Sequence, residues 1–214
     1  MEDSICPRCK TNPMQFDSFT EEYTYCSSCI NEIRSNQIDY NALKINSGVP
    51  LDAIDIKLDS FIGSKVNRLR MATNGFKTNL YLKGESGVGK TWLLCAVVDD
   101  ILHNQRIDGR PPEILFYNVF DILFYVSEYT DESKEMFANT VEAACSADVL
   151  ILDEMKSEYK QREYEWIYRI LNYRKEAGKI TLASINGDIK DSRLLSRIRS
   201  NNCQEIEIKN RLYS

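Results

Sequence analysis

The fold of this 214-residue chain is decided by residues 80–91, which read Leu80-Tyr81-Leu82-Lys83-Gly84-Glu85-Ser86-Gly87-Val88-Gly89-Lys90-Thr91. A short apolar strand runs directly into Gly-x-x-x-x-Gly-Lys-Thr, and the apolar residues from Thr91 to Leu102 predict a buried helix after it. The glycines allow backbone N–H groups to curl around a phosphate, and the positive end of the helix dipole points at the same anion. Strand, loop and helix together predict a P-loop that binds a nucleoside triphosphate.

The side chains of this loop have separate predicted tasks. Lys90 reaches the β- and γ-phosphates of bound ATP, and the Thr91 hydroxyl is placed to ligate Mg²⁺. The predicted nucleotide-binding residues are Gly84, Glu85, Ser86, Gly87, Val88, Gly89, Lys90 and Thr91. A chance glycine-rich turn would not be expected to have a strand directly before it and an apolar helix directly after it.

A second motif follows downstream and reads Val149-Leu150-Ile151-Leu152-Asp153-Glu154. Consecutive apolar residues are typical of a strand buried on both faces, and this one ends in two carboxylates. We expect Asp153 to coordinate Mg²⁺ beside Thr91, and Glu154 to orient or deprotonate the attacking water. The alternative is a solvated loop, but the P-loop upstream favours the catalytic interpretation. An Asp-Glu pair also favours nucleotide hydrolysis over phosphoryl transfer to a small substrate.

Strand and helix patterns alternate from about residue 60 onward. The predicted strands after the P-loop cover residues 113–118, 149–152, 180–185 and 203–208. The predicted helices cover residues 91–102, 132–146 and 164–178. This alternation predicts an α/β fold with a parallel sheet and helices on both faces. Phe120, Phe124 and Tyr125 recur at helical spacing, which is more typical of core residues than of a platform for stacking bases.

Four cysteines near the N-terminus follow the pattern Cys6-x2-Cys9-x16-Cys26-x2-Cys29. Four thiolates at this spacing suit a closed tetrahedral zinc shell, which has a structural role. A redox pair or incidental thiols are the alternatives. So short a segment cannot bury a sufficient apolar core, however, and usually needs a bound metal or disulfides for stability. The predicted organisation is a zinc ribbon module over residues 1–34, a connector over 35–60 and an ATPase domain over 61–214.

Charge and composition exclude several function classes. With 27 basic and 32 acidic residues the net charge is −5, so contact with nucleic acid requires a local basic patch. Lys65, Arg68 and Arg70 are one candidate, although a solvated face is the favoured interpretation. A single histidine excludes most histidine-based catalysis. No apolar stretch approaches the roughly 20 residues that span a bilayer and no secretory signal begins the chain, so we expect a cytoplasmic protein.

From about Gly48 to its end, the chain resembles the AAA+ ATPases of the bacterial helicase-loader group. This is the DnaC/DnaI type, which also includes the IstB-like transposition helpers. The stretches that carry the resemblance are Gly48-Val49-Pro50 and residues 84–91, 113–123, 149–154, 164–178 and 192–198. The resemblance implies a RecA-like core with a missing or vestigial helical lid.

The resemblance also implies two further site residues. The family has a polar sensor residue at the end of the strand that follows the Asp-Glu strand. Ile185 lies where many relatives have asparagine, so Ser184 and Asn186 are both candidates. Asn186 is preferred. The family also has an arginine finger that reaches the neighbouring subunit's γ-phosphate. Arg197 is favoured and Arg193 is second. The two arginines share a helix face, and a solvated basic face remains the alternative.

The function implied by the resemblance is ATP-dependent loading of a hexameric replicative helicase onto single-stranded DNA. It implies ATP, Mg²⁺ and Zn²⁺ as cofactors, a homo-oligomer in the ATP-bound state, and a bacterial or phage-infected bacterial cell. The resemblance to DnaI-type loaders implies that the N-terminal zinc module holds the replicative helicase, and the alternatives are that the ribbon contacts DNA or only stiffens the N-terminus. The alternatives are an IstB-like transposition helper acting on duplex DNA and a non-hydrolysing ATP-binding adaptor.

Overall fold

The computed structural model of the protein describes residues 5–17, 22–36, 38–61, 78–127, 131–209 and 211. The chain divides into two compact units, Met1–Asp39 and Tyr40–Ser214. The basic candidates Lys65, Arg68 and Arg70 lie outside the described residues. No helix among the described segments is long and apolar enough to cross a membrane.

The first unit is built around sulfur atoms. Strands β1 (Gln15–Asp17) and β2 (Glu22–Thr24) form an antiparallel pair, and helix α1 (Ser27–Asn36) follows them. The buried cluster of this unit contains three cysteines, with Cys9 and Met14 packed against them. Among the side chains that the structure describes in this unit, the buried cluster has little aliphatic surface, which fits the expectation that the segment depends on a bound metal.

The second unit is an α/β domain with one parallel sheet of strand order β4-β5-β6-β3-β7. The strands are β3 (Leu80–Gly84), β4 (Ile114–Asn118), β5 (Val149–Met155), β6 (Ile180–Ile185) and β7 (Gln204–Ile208). β5 and β6 lie inside the sheet and are buried along almost their whole length, as their continuous apolar runs predict. The predicted fold class is confirmed.

Helices cover both faces of this sheet. They are α2 (Tyr40–Asn46), α3 (Lys90–Asn104), α4 (Val119–Ser127), α5 (Asp131–Ser146), α6 (Gln161–Glu176) and α7 (Ser192–Ile198). Side chains alternate along each strand, so the sheet separates two apolar clusters. One cluster contains α3 together with Leu80 and Leu82, and the other contains α4 to α7 together with Tyr81.

Residues 40–61, which the sequence assigns mainly to a connector, belong to the second unit and pack against the apolar cluster around α3. We call this segment the strap. It consists of α2 and two 3₁₀ helices, Leu51–Ala53 and Leu58–Ser60. Its buried apolar residues are Val49, Ala53, Leu58 and Phe61, and all belong to the cluster around α3. The strap therefore forms part of the interior on that face of the sheet.

The prediction that Phe120 and Phe124 are core residues is wrong. Their exposed fractions are 53% and 58%. The buried face of α4 is formed instead by Val119, Ile122 and Leu123, which pack on the sheet, so the two phenylalanines point away from it. The side chain of Tyr125 lies outside the described part of the structure.

Candidate functional site

The phosphate loop connects the end of β3 to the first residue of α3. Gly89 caps the helix with φ of +98°, a left-handed conformation that favours glycine. Because α3 begins at Lys90, the unpaired N–H groups of its first turn face the loop. This geometry forms a binding site for an anion at the positive end of a 15-residue helix.

Lys90 directs its ammonium group into the loop. The side chain is buried, and Nζ donates to two backbone carbonyl oxygens of the loop at 2.8 and 3.0 Å. Nζ also donates to Asn186 Oδ1 at 2.6 Å. Burial lowers the pKa of Lys90, while the charges of Asp153 and Glu154 act to raise it. Phosphate oxygens would supply the negative charge that this buried cation needs.

Thr91 and Asp153 lie side by side, as the two motifs predict. Thr91 Oγ1 donates to Asp153 Oδ2 at 2.6 Å, and the other carboxylate oxygen accepts a hydrogen bond from Ser184 Oγ. Adjacent oxygen ligands at about 2.1 Å from Mg²⁺ in an octahedral shell lie about 3 Å apart. The hydroxyl and the carboxylate therefore fit neighbouring positions around one magnesium ion.

Glu154 turns out of the sheet at an irregularity near the end of β5. The pairing of β5 with β6 shifts register between Leu152 and Met155, and Glu154 has φ of +57°. Its N–H donates to Ser184 Oγ at 3.1 Å, and its carboxylate accepts from Asn118 Nδ2 at 2.8 Å. Non-glycine residues in this region of backbone space concentrate at functional sites, where neighbouring contacts hold them.

Asn118 is absent from the predicted site residues, yet it contacts the predicted base directly. It is the last residue of β4 and pairs with Asp153 in the sheet. Its Oδ1 accepts from the Phe120 N–H at 2.9 Å, which leaves the amide group to hold Glu154. The sequence feature that indicates Asn118 is its position at the end of a predicted parallel strand, because the ends of such strands meet at one edge of the sheet.

The two sensor candidates have different environments. Ser184 is fully buried in β6 and bonds to the Asp153 side chain and the Glu154 backbone. Asn186 is exposed and faces the Lys90 ammonium group. Ile185 between them is fully buried in the apolar cluster and has no polar atom to offer. Of the two, only Asn186 contacts a residue expected to bind the γ-phosphate.

These groups meet in one cavity of about 220 Å³. The described residues that line it are Ser86, Gly87, Gly89, Lys90, Thr91, Trp92, Glu154, Ser184 and Asn186. Gly84 and Glu85 contribute the carbonyl oxygens that accept from Lys90, and Val88 is buried in the apolar cluster. The structure thus brings the predicted nucleotide-binding residues and the predicted base to the same edge of the sheet.

The two predicted finger arginines lie on α7 against tyrosine rings of α6. The Arg197 guanidinium donates to Asn172 Oδ1 at 2.7 Å and to the Tyr168 hydroxyl at 2.9 Å. The Arg193 side chain is 69% exposed and lies 5.0 Å from the Tyr164 ring centre. The structure therefore brings neither arginine into the cavity of its own chain.

The four predicted zinc ligands converge in the first unit. Their sulfur atoms all lie within 4.8 Å of one another, and Cys9 Sγ is 3.6 Å from Cys26 Sγ. Sulfur atoms at about 2.3 Å from a tetrahedral zinc ion lie about 3.8 Å apart, so the cluster fits this metal. Hydrogen bonding, chiefly from Thr11, lowers the pKa of Cys9 to about 5, and burial raises the pKa of Cys29 to about 12. Such a cluster could hold Zn²⁺ as four thiolates.

Comparison with known proteins agrees with this geometry. The model of a family described as IstB-like ATP binding protein matches residues 14–188. A putative primosome component from Streptococcus pyogenes serotype M3 aligns at a TM-score of 0.62 and 17% identity, over 83% of this chain and all of the other. The DnaC helicase loader aligns at 0.58 and 22% identity, over 75% of this chain and all of the other.

AMPPCP-bound DnaA from Aquifex aeolicus aligns at a TM-score of 0.58 and 20% identity, over 72% of this chain. The chain spans about half of that protein, since the match covers 49% of its length. No curated protein matches the sequence. At these identities the structural likeness shows the fold, which is that of AAA+ P-loop NTPases, and the family match confirms the resemblance seen in the sequence.

Proposed function

The chain belongs to the family of IstB-like ATP-binding proteins, and we propose that it is an ATPase that loads a hexameric replicative helicase onto single-stranded DNA. The observation that carries ATP hydrolysis is the meeting of Lys90, the Thr91–Asp153 pair and Glu154 at one cavity. Each of these groups has a separate task in phosphoryl transfer to water.

Each of these groups has its own role in the proposed reaction. The loop N–H groups and Lys90 bind the triphosphate, and Asn186 extends this contact to the γ-phosphate. Thr91 and Asp153 would hold Mg²⁺, which would supply positive charge to offset the negative charge that develops in the reaction. Glu154 orients a water molecule and accepts its proton as the oxygen attacks the γ-phosphorus. The bond to the bridging oxygen breaks, ADP leaves, and Glu154 returns the proton to solvent.

The hydrolysis proposal is tested by Glu154→Gln. We expect kcat to fall about 100-fold or more, because a positioned base contributes roughly that factor, while ATP affinity is retained. Glu158→Gln is the matched control, since Glu158 is an exposed carboxylate that pairs with Lys190 outside the cavity. Equal turnover in Glu154→Gln and the unaltered protein would favour the non-hydrolysing adaptor instead.

We propose that the ATP-bound protein is a homo-oligomer in which a neighbour's arginine completes the site. Arg197 is the first candidate and Arg193 the second, and neither enters the cavity of its own chain. Lys90→Ala and Arg197→Ala should each be inactive alone and partly active when mixed, because a mixed interface contains one intact site. Absence of recovery with Arg197→Ala and with Arg193→Ala would contradict this arrangement.

The partner proposal is supported by the likeness in fold to the DnaC helicase loader and by the N-terminal four-cysteine unit. Native mass spectra of the protein mixed with its host's replicative helicase, with and without ATP, test it directly. We expect a complex in which every copy of this chain carries one zinc ion. Zinc in the chain but no helicase complex in either state would contradict the loader proposal.

A second candidate function is favoured by the family description itself, which names IstB-like proteins. In this alternative the ATPase assembles on duplex DNA and assists a transposase. Stimulation of turnover by duplex DNA, with no stimulation by single-stranded DNA or helicase, would favour it over helicase loading.

A further inference from the structure

Trp92 is the one aromatic side chain among the described residues that line the nucleotide cavity. It follows Thr91 directly, in the first turn of α3. Its side chain is half-buried and packs against the apolar cluster that α3 shares with the strap. The turn of helix that carries the phosphate-binding groups therefore also fixes the indole ring. The hydrolysis steps described above give this ring no task.

The other lining residues divide into two kinds. Lys90, Glu154 and Asn186 are polar and mark the end of the cavity where the γ-phosphate reacts. Ser86 and Gly87 belong to the loop and offer backbone groups but little apolar surface. A nucleoside attached to the bound triphosphate thus has one broad apolar surface available in the described lining, which is the indole ring of Trp92.

The cavity is also small. At about 220 Å³ it is smaller than the roughly 300–1,000 Å³ of pockets that bury most of a drug-sized ligand. The triphosphate would fill much of this space, so the base would extend toward the cavity mouth. A flat base in a partly open position binds best by offset stacking on an aromatic ring.

We infer that Trp92 is the nucleoside-binding residue of this site and that its stacking favours purine over pyrimidine nucleoside triphosphates. The inference rests on the nucleotide binding that the proposed function requires. A purine has two fused rings and overlaps the indole over a larger area than a single-ring pyrimidine. Stacking reads no hydrogen-bonding groups, so this contact does not distinguish adenine from guanine.

The chain's tryptophan content allows a direct test. It contains two tryptophans, Trp92 and Trp166, so Trp166→Phe leaves Trp92 as the sole indole emitter. This variant is titrated with ATP, GTP, CTP and inorganic triphosphate in the presence of Mg²⁺, by emission and by calorimetry. We expect ATP and GTP to change the emission strongly and CTP weakly, while inorganic triphosphate binds without this change.

Substitution of Trp92 gives the second readout. In Trp92→Leu, which keeps apolar bulk against the cluster but removes the ring, ATP affinity should fall about tenfold. Affinity for inorganic triphosphate should stay within about twofold, and the preference for ATP over CTP should largely disappear. Trp92→Phe should retain part of the preference, because it keeps a smaller ring.

Unchanged ATP affinity and an unchanged ATP-to-CTP ratio in a folded Trp92→Leu would overturn the inference while leaving the proposed ATPase intact. Equal weakening of ATP and inorganic triphosphate would overturn it too, because it would show a general loss of loop structure. If the unaltered protein binds neither ATP nor inorganic triphosphate, the proposed function itself fails.

Discussion

Glu154 combines an unfavourable backbone conformation with two hydrogen bonds that hold it. A non-glycine residue with positive φ costs about 1–3 kcal/mol relative to ordinary conformations. The Ser184 hydroxyl holds its N–H and the Asn118 amide holds its carboxylate. The direction of this carboxylate therefore depends on a residue from the neighbouring strand.

Removal of the Asn118 amide should impair catalysis more than binding. In Asn118→Ala we expect kcat to fall about tenfold and KM to change less than threefold, because the base loses its orientation while the phosphate loop is untouched. Steady-state ATPase assays measure both. Asn118→Asp controls for the lost hydrogen bond to the first turn of α4, because a carboxylate at this position still accepts from the Phe120 N–H. Normal kcat in Asn118→Asp would show that the contact with Glu154 is dispensable.

At this scale the sequence predicts what a local motif specifies. Lys90 and Thr91 follow from the loop pattern, and Asp153 and Glu154 from the strand that ends in carboxylates. Asn118 could not be identified from the sequence, because its contact with Glu154 requires β4 to lie beside β5. No local sequence pattern specifies the order of strands in a sheet. The same holds for Tyr168 and Asn172, which contact Arg197 across two helices.

Among the elements, α5, α6 and β6 are joined by one fully buried guanidinium. Arg174 donates to the carbonyl oxygens of Ala144 and Ala147 at 2.8 Å each, near the C-terminal end of α5. It also donates to the Ile180 carbonyl at 2.5 Å. Burial lowers the pKa of Arg174 to about 10, and the negative end of the α5 dipole stabilises its charge.

Replacement of this arginine should destabilise the second unit strongly. Arg174→Met leaves several buried carbonyl oxygens without a donor, at about 1–3 kcal/mol each, so we expect a loss of about 3 kcal/mol or more in urea denaturation. Lys175→Met is the control, because Lys175 is exposed in the same helix turn and should change stability by less than about 0.5 kcal/mol. A loss below about 1 kcal/mol in Arg174→Met would contradict the joining role.

The strap is held on α3 by a buried ion pair. Lys44 Nζ lies 2.8 Å from Asp99 Oδ1, and their side chains are 4% and 9% exposed. Lys44 also donates to the Ile54 carbonyl oxygen within the strap. Four residues after Lys44, Gly48 has φ of +88°, and a Cβ there would lie 2.6 Å from the Phe116 carbonyl oxygen. The strap thus approaches α3 and β4 closely.

Removal of one partner of this pair should cost more than removal of both. Asp99→Ala leaves a buried ammonium group without its anion, so we expect the free energy of unfolding to fall by about 3–5 kcal/mol. Addition of Lys44→Met to that variant should recover part of the loss. Glu158→Ala breaks the exposed pair with Lys190 and should cost less than about 1 kcal/mol. Equal losses for the buried and exposed pairs would contradict this prediction.

The strands and longer helices of the second unit are predictable because each has its own apolar periodicity. The strap is not predictable in this way, because α2 has only seven residues and is held by a buried ion pair. In the sequence, Lys44 and Asp99 have the polarity of exposed residues. Phe120 and Phe124 fail for a related reason. Most residues of an apolar helix are candidates for burial. Which face becomes buried depends on how the helix packs on the sheet, and the sequence of the helix does not specify this.

The whole molecule consists of two units with different means of stabilisation. The second has two apolar clusters around a sheet, whereas the buried cluster of the first contains cysteines. Binding of a structural metal supplies folding free energy directly to a unit of this kind. We therefore expect loss of metal to affect the two units unequally.

Loss of zinc should unfold the first unit and leave nucleotide binding intact. We expect one zinc ion per chain by elemental analysis, its loss in Cys29→Ser, and ATP affinity within about twofold of the unaltered protein. Cys203→Ser is the control. Cys203 lies outside the cluster, so this variant should retain the zinc ion. A full equivalent of zinc in Cys29→Ser would contradict the assignment of this ligand.

The sheet of the second unit also bears on how that unit melts. Trp92 packs against the cluster on one face and Trp166 against the cluster on the other. Variants with a single tryptophan, Trp166→Phe and Trp92→Phe, therefore report the loosening of each layer separately, and coincident transitions are the test of two-state unfolding. We expect the two transitions to coincide, because every central strand supplies alternate side chains to both layers. Cooperativity of unfolding in this unit is then a property of the strands rather than of the helices that cover them.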